Sequence, residues 1–281
     1  MSRWSTVAIY GVGLIGGSIG MALRSRGLAD RVIGIGRNAD RLRQAVDLGA
    51  IDDFATDVAD ESWTDSPDIV ILCAPVQLLP VHCGQISDRF PDALITDAGS
   101  TKQSLVAQIE SQQPQANFIG SHPMAGSDRS GVAHADADLF DGRMVIITPT
   151  AATKSGLEAA VTEFWHGLGA RTCSMDPVEH DRALAITSHL PHVLASALAA
   201  ETPEDLLHLI AGGWRDTTRI AGADIEMWTQ ILQENNANVL DALGNLQTRL
   251  AEFESALKTN HRETITRLLA AGKQRRDALG S

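Results

Sequence analysis

Cysteine and positive charge are both scarce in this 281-residue chain. The three cysteines, Cys73, Cys83 and Cys173, stand at no paired-motif spacing. That argues against a disulfide framework or a cysteine metal site, and fits small buried hydrophobes in a reducing cytosol. Lys and Arg number 23 against 35 Asp and Glu, a formal net charge of −12, so no nucleic-acid partner is expected. An anionic small ligand stays open, because a few local cations can hold one. No His-Glu-x-x-His pattern occurs, and no metal is expected. The N-terminus lacks the charged-then-apolar order of a signal peptide. The most apolar run, 183–200, is interrupted by His189, Pro191 and His192. It reads as a buried helix pair and not as a membrane span. No membrane partner is expected, and the location is expected to be cytoplasmic.

Hydrophobic residues make up 44% of the chain and charged residues 21%, ordinary for a globular protein with a real core. The length favours two domains. The first half opens with Thr6-Val7-Ala8-Ile9-Tyr10, and Gly11-x-Gly13-x-x-Gly16 follows at once, leading into a helical pattern. Strand, glycine turn and helix in that order form a dinucleotide-binding fingerprint. Gly11 allows the turn, Gly13 lets a pyrophosphate approach the backbone, and Gly16 lets helix and strand pack closely. The second strand, Arg31-Val32-Ile33-Gly34-Ile35, ends in Gly36-Arg37-Asn38. An acidic residue there would bind a ribose 2′-hydroxyl and favour NAD. Gly36 carries no carboxylate to repel a 2′-phosphate and Arg37 could pair with one, which favours NADP over NAD. As a solvated surface cation, Arg37 would leave either cofactor possible.

The same rhythm continues. Asn38 can cap a helix through Leu42 and Val46. Strands are expected over 68–75 and 93–96, with a helix over 78–90 between them. Ser100 lies in Asp97-Ala98-Gly99-Ser100-Thr101-Lys102, either as a helix N-cap or as a hydroxyl that orients a neighbouring histidine or touches the nicotinamide. That histidine is His122. It follows the apolar run Ala116-Asn117-Phe118-Ile119 inside Gly120-Ser121-His122-Pro123-Met124-Ala125-Gly126. Pro123 biases His122 toward extended geometry, and Gly126 permits a sharp return. The ring is expected at a strand end, pointing outward, where it either exchanges a proton near neutrality or has no role. The strands carrying Ser100 and His122 are successive and should be neighbours, which makes a hydrogen bond between the two side chains reasonable. A strand over 143–150, a helix over 156–168 and a strand over 171–174 complete this half.

After Asp176-Pro177 long helical patterns take over, setting a boundary near 175. The first helix carries His180, His189 and His192. Pro191 cannot donate to the carbonyl of Thr187 and should kink it. His189 and His192 share a face, whereas His180, nine positions before His189, would point the opposite way on a straight helix. Arg215 and Arg219 lie four apart in Gly212-Gly213-Trp214-Arg215-Asp216-Thr217-Thr218-Arg219-Ile220-Ala221. They read as a carboxylate clamp or as a surface ion-pair ladder with Asp216. Leu232, Val239, Leu246 and Phe253 recur every seven residues, and Leu243, Leu250 and Leu257 form a second row. The preferred reading of that stripe is an intertwined homodimer, with packing inside one chain as the alternative.

These motifs, taken in order with Glu179-His180-Asp181 and Ser188-His189-Leu190-Pro191-His192, resemble the prephenate/arogenate dehydrogenase family of tyrosine biosynthesis over nearly the whole chain. The resemblance implies an α/β Rossmann-type N-terminal domain (1–175) and an all-α substrate and dimerisation domain (176–281). It implies NAD(P)-dependent oxidative decarboxylation of prephenate to 4-hydroxyphenylpyruvate or of arogenate to tyrosine. His122 is then the acceptor and base toward the C4 hydroxyl, Ser100 its partner, and Arg219 the substrate-carboxylate ligand. His189 and His192 line the substrate pocket, with His192 the nearer contact and a slight pointer to prephenate. Asp128 aligns with an acidic position near the entrance and is expected, with Asp216, to take part in a gating ion pair. His180 matches a family histidine of unassigned role. The expected cofactor contacts are Gly11, Gly13, Leu14, Ile15, Gly16, Arg37, Cys73, Ala74, Pro75 and Ser100. Two rivals stand beside this reading. One is another Rossmann/helical-dimer oxidoreductase of hydroxyacid or imine substrates, which would centre on a lysine of the helical half. The other is a non-catalytic dinucleotide sensor.

Overall fold

Apolar runs of four to seven residues can be buried on both faces only if helices cover both sides of the sheet they form. The computed structural model describes residues 3–60, 63, 65–126 and 129–280, and eight strands form such a sheet. They are β1 (Trp4–Tyr10), β2 (Ala29–Ile35), β3 (Asp53–Ala55), β4 (Ile69–Leu72), β5 (Leu94–Asp97), β6 (Asn117–Pro123), β7 (Met144–Thr148) and β8 (Arg171–Ser174). Their order is β3-β2-β1-β4-β5-β6-β7-β8. Every neighbouring pair is parallel except β6 and β7, which run antiparallel. Helices α1 (Leu14–Ser25), α2 (Ala39–Asp47), α3 (Leu79–Arg89), α4 (Gln103–Gln112) and α5 (Leu157–Gly167) cover the faces. The strand order reverses between β1 and β4, the point where such sheets open a crevice for a dinucleotide.

The glycine turn is enforced by crowding. Gly11 has φ +98°, a left-handed conformation that favours glycine. A Cβ at Gly16 would fall 2.2 Å from the Gly11 carbonyl oxygen, so α1 sits on β1 only with glycine there. Asn38 caps α2 as expected, its side chain accepting from the Arg41 N–H at 3.0 Å.

Two expectations are corrected in β6 and α4. The strand does not end before His122. It runs on to Pro123, with His122 opposite Ile146 of β7. The parallel pairing with β5 ends at Ile119, and β7 on the other side extends the ladder from Gly120 to Pro123. The imidazole is therefore buried, 8% exposed, and not free in a loop. Ser100 does not cap α4 either, because that helix starts at Gln103 and its N-cap residue, Lys102, makes no side-chain cap bond.

The helical half comprises α6 (Pro177–Leu184), α7 (Leu190–Ala200), α8 (Gly212–Thr218), α9 (Ile225–Glu234), α10 (Asn236–Lys258) and α11 (Arg262–Asp277). Asp176 caps α6 through the N–H groups of Val178 and Glu179. Between α6 and α7 the backbone forms a π-turn over Ala185–His189, which accommodates Pro191 without ending the helical path. It also changes facing. Nine straight-helix steps of about 100° would set His180 and His189 half a turn apart. The extra residue of the π-turn absorbs one step, and both rings end near Asn235 and Asp181.

By length and composition, Pro177–Ala200 would suffice to cross a membrane. Its inner face holds His180, Asp181, His189 and His192, all buried. The expected buried helix pair is buried on that face only, since Ile186 is 57% exposed. The heptad stripe is also interrupted. Leu232 belongs to α9, Asn235 separates it from α10, and Leu250 and Leu257 face outward.

Candidate active site

A cavity of about 800 Å³ opens where the C-terminal ends of β4, β5 and β6 meet the helical half. Its sheet-side wall includes Gly13, Leu14, Ile15, Cys73, Ala74, Pro75, Ser100 and His122, and its helical wall includes Ser188, His189, Trp228 and Ile231. A dinucleotide fits this crevice. Gly13 is the N-cap of α1 with no side-chain cap, and a Cβ there would meet nothing within 4 Å. The first-turn N–H groups of the helix thus face open space, the arrangement that suits a pyrophosphate. Gly11 and Gly16 do not line the cavity and act through the packing described above. Arg37 is exposed at the end of β2 and ion-pairs with no other described residue. His82, stacked on Tyr10 with ring centroids 3.8 Å apart, is pushed down to about 4 by burial and by the Arg37 charge.

His122 is the one histidine of the sheet half that lines the cavity among the described residues. Its Nδ1 lies 2.9 Å from His180 Nε2, and His180 Nδ1 lies 2.7 Å from Asp181 Oδ1. Asp181 Oδ1 also accepts the Lys102 N–H at 2.8 Å, and its Oδ2 accepts the Gln103 N–H at 3.0 Å. Asp181 of α6 therefore supplies the cap that α4 lacks. The expected Ser100–His122 hydrogen bond is absent, because the imidazole nitrogen facing the protein is taken by His180; Ser100 lines the same cavity instead. Burial, then the neighbouring His180 and Lys102, hold the His122 pKa well below the ordinary range, so the ring is neutral. Burial likewise lowers His180 against the pull of Asp181. Burial pushes the Asp181 carboxyl up, but the His180 bond and the two backbone N–H bonds outweigh it and leave it low and ionised.

Beneath this row lies a pair that the sequence did not single out. Lys102 Nζ and the Asp97 carboxylate form an ion pair with both side chains fully buried. Asp97 also accepts the N–H groups of Gly99, at 2.8 Å, and Ser121, at 3.0 Å, which ties the end of β5 to β6 beside His122. Ser121 in turn accepts from Trp165 Nε1 at 3.1 Å. Lys102 follows Asp97 by five residues in the same turn, and the fold closes that turn so that the two charges meet inside the core.

On the helical side, the His192 ring stacks on Trp228 at 3.6 Å and 7°, and His189 meets the same indole edge-on at 6.0 Å. His192 itself does not line the cavity; Trp228 stands between. Burial lowers His189 to about 4 and lowers His192 as well. Asn235 Nδ2 binds the Asp181 carbonyl at 2.7 Å and His189 Nδ1 at 3.1 Å. Neither Trp228 nor Asn235 was singled out from the sequence, and the π-turn that brings the histidines to them left no motif. Arg219 and Asp216 are exposed, do not line the cavity, and form no ion pair with each other or with another described residue. Arg219 lies three residues before Gly222, which does line it. Asp128, the other member of the expected gating pair, lies outside the described residues. His180, His189 and His192 form no metal cluster with carboxylates or cysteines among the described residues.

A doubly wound sheet with an open helix N-terminus at its switch point, and a neutral imidazole facing a second, helical wall, defines a dinucleotide-dependent dehydrogenase. Comparison with known proteins narrows that class. Residues 19–174 match the prephenate dehydrogenase nucleotide-binding domain, and residues 176–271 match the prephenate dehydrogenase dimerization domain. Prephenate dehydrogenase of Bacillus subtilis is 34% identical over 98% of this chain and 76% of its own length. Among solved structures, prephenate dehydrogenase from A. aeolicus in complex with hydroxyphenyl propionate and NAD+ superposes with a TM-score of 0.90, at 33% identity, covering 98% of each chain. Arogenate dehydrogenase from Synechocystis gives a TM-score of 0.82 at 28% identity, covering 98% of this chain and 99% of its own. The chain belongs to the prephenate dehydrogenase family.

Proposed function

We propose that this protein oxidatively decarboxylates prephenate or arogenate with a nicotinamide dinucleotide as oxidant. The observation that carries the site assignment is His122: neutral, nine-tenths buried, and aimed from the sheet into a cavity walled by both halves. A nicotinamide held in this crevice would supply the hydride acceptor for C4 of the cyclohexadienol. His122 accepts the hydrogen bond of the C4 hydroxyl as the hydride departs, and an uncharged imidazole is the form able to do so. Ser100 borders the same space and helps to orient the reacting ring. Arg219 takes a substrate carboxylate at the cavity mouth, a reading supported by its lack of a described ion-pair partner. The carboxylate leaves as carbon dioxide, and aromatisation drives the reaction.

Residues 1–175 act as the dinucleotide-binding domain and 176–281 as the substrate and dimerisation domain. Exposed Leu240, Leu250 and Leu257 on α10 support a homodimer, and its proposed location is cytoplasmic. NADP is the favoured cofactor because Gly36 and Arg37 replace an acidic strand end. The lean toward prephenate rests on His192, one ring behind the cavity-lining Trp228. Lys258 and Lys273 are solvated and paired with Glu254 and Asp277, which leaves the lysine-centred rival without a catalytic group in the helical half.

Initial rates on prephenate or arogenate, each with NAD or NADP, test this reading. Activity is expected with at least one pairing, and NADP is expected to outperform NAD until Arg37→Ala removes the advantage. His122→Asn should lower kcat by about 100- to 10,000-fold while cofactor affinity persists. Undiminished turnover in that variant overturns the base assignment.

A further inference from the structure

We infer that Asp181 sets the tautomer of His122 by way of His180, so that His122 presents a lone pair and not an N–H to the cavity. This rests on the proposed role of His122 as acceptor and assigns positioning roles to His180 and Asp181. The N–H groups of Lys102 and Gln103 point at Asp181 Oδ1 and Oδ2, so both oxygens accept. His180 Nδ1, 2.7 Å from Oδ1, must then carry its proton. A neutral imidazole has one N–H, which leaves His180 Nε2 as an acceptor. His122 Nδ1, 2.9 Å away, must donate to it. The remaining nitrogen of His122, Nε2, keeps its lone pair. Were His180 protonated on both nitrogens, its Nε2–H would face His122 Nδ1 and force the proton onto His122 Nε2, where it would block the substrate hydroxyl. Burial of His180, 0% exposed, disfavours that cation.

The Asp181 end of the row is anchored twice. The Asp181 backbone carbonyl accepts from Asn235 Nδ2 at 2.7 Å, and the carboxylate is fixed to the start of α4. The same amide nitrogen donates to His189 Nδ1 at 3.1 Å, so His189 must hold the opposite tautomer, with its proton on Nε2. In the reaction the hydride leaves C4, the bond from the ring to the carboxylate breaks, and its electron pair enters the ring. The hydroxyl proton shared with His122 Nε2 returns to the phenolic oxygen. No proton is consumed, and none passes along the row; Asp181 and His180 orient the acceptor and stabilise positive charge growing on it.

The test is the ring-nitrogen NMR spectrum of the full-length protein labelled with [15N]histidine, with resonances assigned by single His substitutions. Expected are Nδ1–H tautomers for His122 and His180 and an Nε2–H tautomer for His189. An Nε2–H tautomer for His122 in the wild-type protein overturns the inference without any variant. His180→Gln replaces a directional link with an amide that can donate or accept. It should lower kcat on the order of 10- to 100-fold, with KM and cofactor Kd within about twofold, and leave His122 as a mixture of tautomers. A His180→Gln protein with the kinetic loss but a single Nδ1–H tautomer at His122 also counts against it. Full turnover by His122→Asn would refute the acceptor role itself, whatever the tautomers, and so separates the two failures.

Discussion

The sheet of residues 4–174 and the helices after it meet water on different terms. In the sheet half, β4 and β5 are buried along their whole length, and apolar clusters on both faces gather Ile9, Leu23, Ile71 and Trp165 on one side and Ile33, Val70, Ile95 and Leu105 on the other. In the helical half the central apolar cluster is only Ala185, Val239 and Ala242 with a few partly buried neighbours. Leu209, Ile225, Leu240 and Leu257 stand 68%, 83%, 65% and 64% exposed. Beside Leu184, Ala185 and Ala195, this half buries a polar group of His180, Asp181, His189, His192 and Asn235. The sheet supplies its own core, while the helices spend their inner face on the site and turn leucines outward. At about 1.5–3 kcal/mol per leucine side chain buried, that outer face is stability that the proposed homodimer would supply.

The contrast can be broken most strongly at its centre. Lys102→Met leaves Asp97 buried and unpaired, and should lower folding stability by about 3–5 kcal/mol, measured by denaturant unfolding. A loss below 1 kcal/mol would mean that the ion pair is incidental to the sheet half. Acid sharpens the comparison on the helical side. His189 has a folded pKa of about 4, below its unfolded value near 6.5, so the unfolded state binds the extra proton between those values. Its contribution is present above about pH 6.5 and is lost as pH falls toward 4, a decline on the order of 3 kcal/mol. His189→Gln should flatten that part of the stability–pH curve; an unchanged curve would assign the acid sensitivity elsewhere. The mildest change is at the surface. Leu250→Glu with Leu257→Glu should shift sedimentation toward monomer while the unfolding of the sheet half stays within about 0.5 kcal/mol of wild type. A dimer that survives both charges would move its interface off α10.

The sheet was legible because its signals are local. Apolar runs and glycine turns sit next to one another in sequence, and the crowding at Gly11 and Gly16 acts within one strand–turn–helix unit. His122 was legible as a candidate through its neighbours Pro123 and Gly126, but its burial was not, because β7 pairs with it from more than twenty residues away. Ser100 was assigned a bond that belongs to His180 for the same reason. The role of His180 depended on a π-turn whose extra residue rotates one histidine relative to another, and helical periodicity assumes the turn it replaces. Asn235 carries no pattern and acquires meaning only from partners brought in by the fold, while Lys102 and Asp97 share one short motif whose closure into the core leaves no periodic signal.

Asp181 grips main-chain N–H groups at the start of α4, not side chains. The seam between the halves therefore asks little of the sequence at positions 102 and 103 beyond the absence of proline, although Lys102 has its own duty to Asp97. Segments from two relatives could be spliced near residue 175 and still assemble the row, provided that one contributes His122 and the other His180, Asp181 and Asn235. A joint held by main-chain N–H groups should tolerate side-chain drift at positions 102 and 103 better than one held by side chains.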